Sequence, residues 1–299
     1  MMYFTVFLLF SISVFLFRSE WEKLQLRKEY YELVSPKRLK EGKIRIVFFS
    51  DLHHYLPADL LREKILKAIN EEKPDAVLIG GDMLCMGKKK NRHTGTDTAL
   101  SLIRELCREY PVYYAPGNHE ERLRLLGNED FNAYLAGVRE CGAVYLSDSE
   151  APVSESVSVS GVSLPYRYYE KLFPGINKKT PLEPGFFEEK SVFTDRERFN
   201  IALVHSPHYY KEAVSAGADL VLSGHDHGGT VRLPGGTGLM TPQFQFFSGE
   251  SSGLHKYNGA YMIATRGLGT HSIRIRINDL PELSVIDIVD NDRKAQLQA

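Results

Sequence analysis

Apolar runs and amphipathic stretches alternate along most of the chain. Residues 44–49 and Ala76–Ile79 are rich in β-branched and aromatic side chains, which predicts buried strands. Apolar residues at helical spacing follow each of these runs, and the pattern recurs further along. Strand, helix and strand in succession predict a largely parallel sheet with right-handed crossovers. The predicted helix faces are formed by Leu60, Leu61, Ile65, Leu66 and Ile69; by Leu100, Ile103, Leu106 and Cys107; and by Phe131, Tyr134, Leu135 and Val138.

The beginning of the chain has a different pattern. Residues 1–17 contain no charged side chain and are interrupted only by Thr5, Ser11 and Ser13. About seventeen residues is the lower limit for a helix that spans a bilayer. No basic region precedes this run, and no A-x-A-like cleavage site follows it before Arg18. An uncleaved transmembrane anchor over residues 1–17 is therefore favoured over a cleaved signal peptide, which is the alternative.

Basic residues are concentrated just after the apolar run, between residues 18 and 40. The positive-inside tendency predicts a single-pass protein of the cell membrane whose main domain lies on the cytoplasmic face. We predict a linker over residues 18–42, one folded domain over residues 43–290 and a tail over residues 291–299. About 260 residues remain after the first forty, which is typical of one large α/β domain.

Charge and cysteine content exclude two classes of protein. The 37 basic and 38 acidic residues give a net charge of -1, so no excess of positive charge indicates a nucleic-acid groove. We therefore expect no nucleic-acid partner. Cys85, Cys107 and Cys141 are odd in number and show no CxxC spacing, which argues against a disulfide framework.

Five apolar runs are each followed directly by residues that bind metals well. Ligands of such sheets collect beyond the carboxyl ends of the strands, so we expect these five segments to converge on one edge. Carboxylate, imidazole and amide groups together suit Mn, Zn or Fe. One carboxylate can bridge two ions about 3.5–4 Å apart, the spacing used in phosphoryl displacement. The segments end in Asp51 and His53; in Asp82; in Asn118, His119 and Glu120; in His205; and in His225 and His227.

The five segments resemble the signature of the calcineurin-like metallophosphoesterase superfamily, which reads DxH, GD, GNH[DE], H and GHxH. The resemblance extends over roughly residues 43–289. The landmarks around Gly253, Gly267 and Asn278 are similar to the membrane-associated bacterial branch of the YkuE/YaeI type. The resemblance implies a four-layer α/β/β/α sandwich of two mixed sheets flanked by helices. It also implies that strands near Val157–Val162 and residues 273–288 belong mainly to the second sheet.

The resemblance also implies a role for each residue of the motifs. Two divalent metal ions (Mn, Zn or Fe) would be bound, and a hydroxide that bridges them would hydrolyse a phosphodiester, phosphomonoester or pyrophosphate. His119 would be catalytic, because it would stabilise the phosphoryl oxygens or protonate the leaving oxygen. The implied ligands are Asp51, His53 and His227 for the first ion, Asn118, His205 and His225 for the second, and Asp82 as the bridge.

Two departures from the family patterns refine this reading. The segment around Asp82 places Cys85 where the Ser/Thr protein phosphatases of the superfamily have a second aspartate, and their arginine is missing. A protein-phosphatase activity is therefore not expected. Asp226 lies between two predicted ligands, so alternation along the chain should turn it away from the metals. The four histidines outside the motifs and away from them, His93, His208, His255 and His271, are interpreted as ordinary polar residues, and His54 as a residue of the cleft rim.

The predicted anchor bears on the substrate, since a tethered enzyme has favoured access to lipid-borne phosphates. Two aromatic-rich segments, residues 165–195 and 239–257, are candidate substrate loops. Equally, their aromatic residues can simply pack the loops onto the domain. The open alternatives for the activity are a lipid pyrophosphate hydrolase of the UDP-2,3-diacylglucosamine type, a phosphodiesterase of soluble substrates, and a non-catalytic membrane scaffold stabilised by metal. The presence of His119 favours an enzyme.

Overall fold

The computed structural model describes residues 1–53, 58–86, 93–94, 96–171, 179–190, 192–270 and 274–291. The α-helices are α1 (Met2–Lys23), α2 (Ala58–Glu72), α3 (Thr96–Cys107), α4 (Asn118–Leu125), α5 (Glu129–Glu140) and α6 (Tyr210–Ala216). Short 3₁₀ turns lie at Tyr166–Tyr169, Pro207–Tyr209 and His227–Gly229. The strands are β1 (Arg27–Val34), β2 (Lys43–Phe49), β3 (Ala76–Ile79), β4 (Cys85–Met86), β5 (His93–Thr94), β6 (Val112–Tyr114), β7 (Val144–Tyr145), β8 (Ser149–Pro152), β9 (Val157–Val162), β10 (Phe199–Val204), β11 (Leu220–Ser223), β12 (Gly238–Met240), β13 (Phe246–Ser248), β14 (Gly253–Tyr257), β15 (Ala260–Ala264) and β16 (Glu282–Val289).

Two six-stranded sheets form the centre of the molecule. The first sheet has the order β1-β16-β2-β3-β6-β7, and the second has the order β14-β15-β11-β10-β9-β8. β2, β3, β6 and β7 run parallel, as do β9, β10, β11 and β15. Antiparallel pairs of β16 with β2, β14 with β15 and β8 with β9 make both sheets mixed.

Three apolar cores separate the layers. On β2, Val47 and Phe49 face the core under α2, α3 and α5, whereas Ile46 and Phe48 face the core between the two sheets. A third core lies between the second sheet and α6. A strand buried on both faces has apolar residues at nearly every position, which explains its continuous rather than alternating pattern. The four-layer α/β/β/α prediction is therefore confirmed.

One strand lies in a different sheet from the one expected. Val157–Val162 is β9 of the second sheet, as predicted, but Glu282–Val289 is β16 of the first sheet, where it pairs antiparallel with β2. The other edge of β16 pairs with β1, which runs parallel to it along eight residues. The placement of residues 273–288 in the second sheet is thereby corrected. The sequence of a strand that is buried on both faces does not show to which sheet the strand belongs.

Residues 18–42 belong to the folded unit, although the sequence predicts a linker there. They contain the end of α1 and the whole of β1. Ser19 and Glu22 on the last turns of α1 are buried against the domain. Among the described residues, Met2–Lys23 is the one helix long and apolar enough to cross a membrane, and its first part is exposed. A signal sequence near the N-terminus shares this length and composition.

Candidate metal centre

The five predicted segments meet at one edge of the two stacked sheets. Asp51 and His53 follow β2, Asp82 follows β3, and α4 begins directly after β6 with Asn118 and His119. The remaining three residues come from the second sheet, after β10 and β11. The side chains of Asp51, His53, Asp82, His119, His205, His225 and His227 are all buried. The convergence expected from the parallel strand order is thus observed.

Left-handed backbone conformations turn these side chains inward. The φ angles are 55° at Asp51, 43° at His53, 52° at Asp82, 66° at His225 and 48° at His227. Such positive values are uncommon for residues other than glycine, and they concentrate at functional sites where the surrounding structure enforces them. Each strand end therefore turns sharply, and its polar side chain points into the shared space instead of continuing the sheet.

Two glycines allow the segments to approach each other closely. A Cβ atom on Gly117 would lie 2.2 Å from Oδ1 of Asp82, and one on Gly224 would lie 2.2 Å from Oδ2 of Asp51. Any side chain at either position would displace a predicted metal ligand. Gly117 of the GN motif and Gly224 of the GH motif are consequently needed because no larger residue fits there.

Three groups of potential ligand atoms overlap within the centre. Asp51, His53 and His227 form the first group, in which the Nε2 atoms of the two histidines lie 3.1 Å apart. Oδ1 of Asp51 is 3.3 Å from Nε2 of His227. Bonds of roughly 2.0–2.1 Å to one ion put neighbouring ligand atoms about 3.0–3.4 Å apart, so these spacings fit a bound metal.

Asp82 belongs to both of the other groups. It lies with His53 and His119 in one group, and with His205 and His225 in the other. Its Oδ2 is 3.3 Å from Nε2 of His205 and 4.0 Å from Nε2 of His53. A carboxylate placed between two sets of imidazoles has the position that a bridging ligand needs.

The tautomers of two histidines turn lone pairs towards the carboxylates. Nδ1 of His205 is 2.7 Å from the carbonyl oxygen of Gly80 and must donate to it, so that in the neutral imidazole, the form that binds a metal, the lone pair is on Nε2. Nδ1 of His53 faces the carbonyl oxygen of Leu84 at 3.3 Å in the same way. Within the described residues Nε2 of His205 has no hydrogen-bond partner, and it faces Oδ2 of Asp82. Acceptors that face each other in a buried space fit a cation between them.

The pKa values of the centre reflect the two carboxylates that are buried there. Burial raises the pKa of Asp51 to about 6, although His205 acts against it. Burial would also raise the pKa of Asp82, but the surrounding histidines outweigh it and hold that pKa well below its usual range. Burial would lower the pKa of His205, yet Asp82 and Asp51 raise it to about 10. The two carboxylates therefore attract positive charge to the centre.

Asn118 and His225 meet across the two sheets. Oδ1 of Asn118 is 2.9 Å from Nδ1 of His225. The ring of His225 is packed edge-on against Tyr169, with centroids 4.9 Å apart, and burial holds its pKa well below its usual value. A neutral imidazole beside an amide oxygen is suited to metal binding. Tyr169, a buried residue that the motifs did not reveal, covers this side of the centre.

His119 lies at the border of the centre. Its backbone N–H donates to Oδ1 of Asp82 at 2.8 Å, and Nε2 of its ring is 3.8 Å from Oδ2 of the same residue. Its ring centroid is 5.1 Å from that of His53. Burial lowers the pKa of His119. The ring is thus close enough to act on a group bound at the centre.

Glu120 is a functional residue that the sequence did not single out for a role. Its buried carboxylate accepts hydrogen bonds from the backbone N–H groups of Asp82, Leu84 and Gly117, at 2.8, 3.1 and 2.9 Å. Tyr114 donates a fourth bond at 2.9 Å. Burial raises the pKa of Glu120 to about 7 despite these donors. Glu120 fixes the loop of Asp82 to the start of α4, where its carboxylate accepts from the backbone N–H of the N-cap residue Gly117.

Asp226, which is expected to turn away from the metals, belongs to none of the three ligand groups. It is buried, and its Oδ1 is 3.6 Å from Nε2 of His208. His208 therefore lies beside the turn that carries His225 and His227. His54 and His271, and the side chain of His93, lie outside the described residues.

The two aromatic segments differ in their burial. In the first, Tyr168, Tyr169, Phe186 and Phe187 are buried in the core beside α6, which supports the packing alternative. Residues 172–178 and 191, Phe173 among them, lie outside the described residues. In the second segment Phe246 and Phe247 are exposed on the β12–β13 hairpin.

Two stacked sheets thus carry a buried cluster of histidine and aspartate side chains at their strand ends. Residues 44–229 match the family model described as Calcineurin-like phosphoesterase, and the chain belongs to that family. The cluster is consistent with a dinuclear metal site. The resemblance seen in the five sequence motifs is thereby confirmed.

Three relatives each align with most of this chain. An uncharacterised metallophosphoesterase of Aquifex aeolicus is 27% identical over 90% of this chain and 94% of its own length. The Phosphodiesterase YaeI of Escherichia coli is 26% identical, covering 82% of each chain. The uncharacterised metallophosphoesterase YkuE of Bacillus subtilis is 27% identical over 82% of this chain and 78% of its own length.

Proposed function

We propose that this protein is a membrane-anchored, dinuclear metal-dependent hydrolase of phosphodiesters. The observation that carries the proposal is the position of Asp82, whose carboxylate is shared by two groups of ligand atoms. In two-metal hydrolases such a carboxylate joins the ions that act on attacking and leaving oxygens. The alternatives within the same chemistry are a phosphomonoester or a pyrophosphate bond.

Each ion has its own set of protein ligands in this proposal. Asp51, His53 and His227 would hold one ion, Asn118, His205 and His225 would hold the other, and Asp82 would contribute to both. When bound, the ions neutralise the phosphoryl oxygens and lower the pKa of water towards neutrality. Donor types of this kind suit Mn, Zn or Fe.

His119 acts on the leaving oxygen. Its ring lies beside Asp82 in the group of atoms that also contains His53, and its lowered pKa reflects its burial. Binding of a phosphoryl group beside the ring brings negative charge, which favours the protonated imidazole. His119 then donates a hydrogen bond to the developing charge or transfers its proton to the departing alcohol.

The remaining residues of the centre position these groups. Glu120 holds the backbone of Asp82, Leu84 and Gly117 through three N–H donors. Tyr169 packs against His225 and limits the access of water from that side. Such supporting contacts keep ligands oriented before the metal arrives.

The N-terminal helix determines where the reaction takes place. The exposed apolar part of α1 is proposed as a single-pass anchor in the cell membrane, with the catalytic domain on the cytoplasmic face because basic residues follow it. A phosphodiester is placed first among the substrates because the relative YaeI is named a phosphodiesterase.

Hydrolysis of bis(p-nitrophenyl) phosphate by the purified full chain tests this proposal. The protein is assayed without metal and after loading with Mn, Zn or Fe, and p-nitrophenyl phosphate serves as the monoester comparison. Metal-dependent cleavage of the diester should fall by roughly 10²-fold in His119→Ala while both ions stay bound. Two bound ions without cleavage of either compound would favour a metal-stabilised scaffold.

A further inference from the structure

The anchor helix is docked rigidly onto the domain. Ser19 accepts a hydrogen bond from the backbone N–H of Arg276 at 3.0 Å, and Glu22 accepts one from the backbone N–H of Asp279 at 3.1 Å. Arg18 donates to Oδ1 of Asn278 at 2.8 Å. Ser19 and Glu22 are buried. The end of the membrane helix is therefore part of the folded structure, and the domain has a fixed orientation relative to the helix.

Two short routes connect this docking site to the metal centre. In the first, Asn278 donates to the carbonyl oxygen of Arg232 at 3.2 Å, and Arg232 donates to that of Gly228, the neighbour of His227, at 3.1 Å. The docked end of α1 is thereby linked to the turn that carries His227 through Asn278 and Arg232.

The second route ends at Asp51. The buried guanidinium of Arg276 donates to the carbonyl oxygen of Gly267 at 3.0 Å. Gly267 lies so close to Asp51 that a Cβ atom on it would be 2.7 Å from Cβ of Asp51. Both routes therefore reach the first group of ligand atoms, the one formed by Asp51, His53 and His227.

Exposed apolar side chains lie beside the first of these routes, because Arg232 pairs with Gly238 of β12 and β12 pairs with β13. Leu233 directly follows Arg232 and is 37% exposed. Phe246 and Phe247 on β13 are 40% and 63% exposed. Because neighbouring residues of a strand point to opposite faces, each face of β13 carries one exposed aromatic side chain. The hairpin packs on the metal-binding turn, because a Cβ atom on Gly229 would lie 2.4 Å from Cα of Gly238. We call Leu233, Phe246 and Phe247 the hairpin patch.

A lipid bilayer is the occupant that the surroundings of this patch favour. Arg232, the residue before Leu233 of the hairpin patch, accepts a hydrogen bond from Asn278, which binds Arg18 at the end of the anchor helix. Trp21, also near that end, is exposed. Aromatic residues beside a membrane helix are typical of the bilayer interface, and grouped apolar side chains on a surface mark contact sites.

We propose that the hairpin patch inserts into the bilayer beside α1, so that the metal centre acts on a phosphodiester borne by a membrane lipid. This inference rests on the proposed function. In the reaction, water oxygen bonds to phosphorus, the bond from phosphorus to the leaving oxygen breaks, and that oxygen takes up a proton. The patch holds the centre at the height of the headgroups and brings the diester within its reach.

Tryptophan fluorescence tests the contact with lipid independently of activity. The chain has one tryptophan, so Trp21→Phe removes the background signal. In that background, Phe247→Trp is compared with Val144→Trp, since Val144 is 40% exposed on β7 at the opposite edge of the first sheet from β1. Both full chains are placed in phosphatidylcholine vesicles with brominated acyl chains. Bromine should quench the Phe247→Trp emission at least about threefold more strongly; equal quenching would overturn the insertion.

A pair of substrates with the same leaving group tests the substrate class. A diacylglycerol p-nitrophenyl phosphodiester in vesicles is compared with soluble bis(p-nitrophenyl) phosphate. The ratio of lipid to soluble kcat/KM should fall about 10-fold in a Phe246→Ser and Phe247→Ser double variant, because it loses two exposed aromatic side chains that would enter the bilayer, and should stay unchanged in Val144→Ser. Cleavage of the soluble diester with no cleavage of the lipid, or an unchanged ratio, would overturn this inference. Absence of both activities would instead count against the proposed function.

Discussion

Nε2 of His53 and Nε2 of His227 lie 3.1 Å apart, although 174 positions separate the two residues in the chain. His53 follows a strand of the first sheet, whereas His227 follows a strand of the second. The metal centre therefore exists only where the two sheets meet at their carboxyl ends. Its integrity depends on the shared carboxylate of Asp82 and on the contacts that hold the two edges together.

Replacing the shared carboxylate should change the metal content. Asp82→Asn removes one negative charge and one potential bridging oxygen, so we expect one ion or none per chain in place of two. Plasma mass spectrometry of the purified protein gives the stoichiometry. Asp226→Asn is the matched control, because Asp226 is equally buried but lies outside the three ligand groups, and it should keep both ions. Normal occupancy in Asp82→Asn would rule out the bridge.

A methyl group at Gly117 should disturb the same carboxylate. The new Cβ atom would lie 2.2 Å from Oδ1 of Asp82, so the side chain must move. We expect Gly117→Ala to weaken metal affinity by roughly 10-fold or more, measured by competition with a chelator. At Gly249 an added Cβ meets no atom within 4 Å, which makes Gly249→Ala a control that should bind metal normally. Equal affinities would mean that the close approach has no consequence for the centre.

Glu120→Gln should lower the stability of the protein. The carboxylate accepts four hydrogen bonds, whereas the amide nitrogen of glutamine accepts none and adds buried donors. Leaving backbone donors without partners costs about 1–3 kcal/mol each, so the free energy of unfolding should fall by about 2 kcal/mol or more. Urea unfolding in detergent measures the loss. Glu140→Gln on the exposed side of α5 is the control, and an equal effect in both variants would contradict the role of Glu120.

Glu282 should make stability depend on pH. Burial raises its pKa to about 7, although Arg266 acts against it. The folded protein then binds the proton more tightly than the unfolded chain. The contribution of this group is therefore fully present below about pH 4.5 and is lost as the pH rises through about 7. The loss amounts to about 3 kcal/mol, and Glu282→Gln should remove it. Urea unfolding at about pH 5 and 8 gives the change in the free energy of unfolding with pH for both proteins. An equal change in the two proteins would speak against the raised pKa of Glu282.

Much of the centre could be predicted because parallel strands end at a common edge. The apolar runs before Asp51, Asp82 and His205 identify buried strands, and the polar residue after each run marks its carboxyl end. Neither the sheet of each strand nor the distance between two ligands is needed for that inference. The order of residue types along the chain was sufficient to bring them together.

The supporting contacts could not be predicted in the same way. The role of Glu120 depends on three backbone N–H groups that its neighbours in the sequence do not reveal. The placement of β16 between β1 and β2 depends on which edge is free, and a strand buried on both faces carries no such information. The docking of α1 rests on Ser19 and Glu22, two polar residues of a charged flank that looks like solvated surface.

Diffraction at the absorption edge of the bound metal tests the dinuclear centre most directly. Crystals of the full chain loaded with Mn or Zn should give two anomalous peaks about 3.5–4 Å apart, with the carboxylate of Asp82 between them. His53 and His227 should contact one peak, and His205 and His225 the other. A single peak, or two peaks that do not share Asp82, would contradict the account.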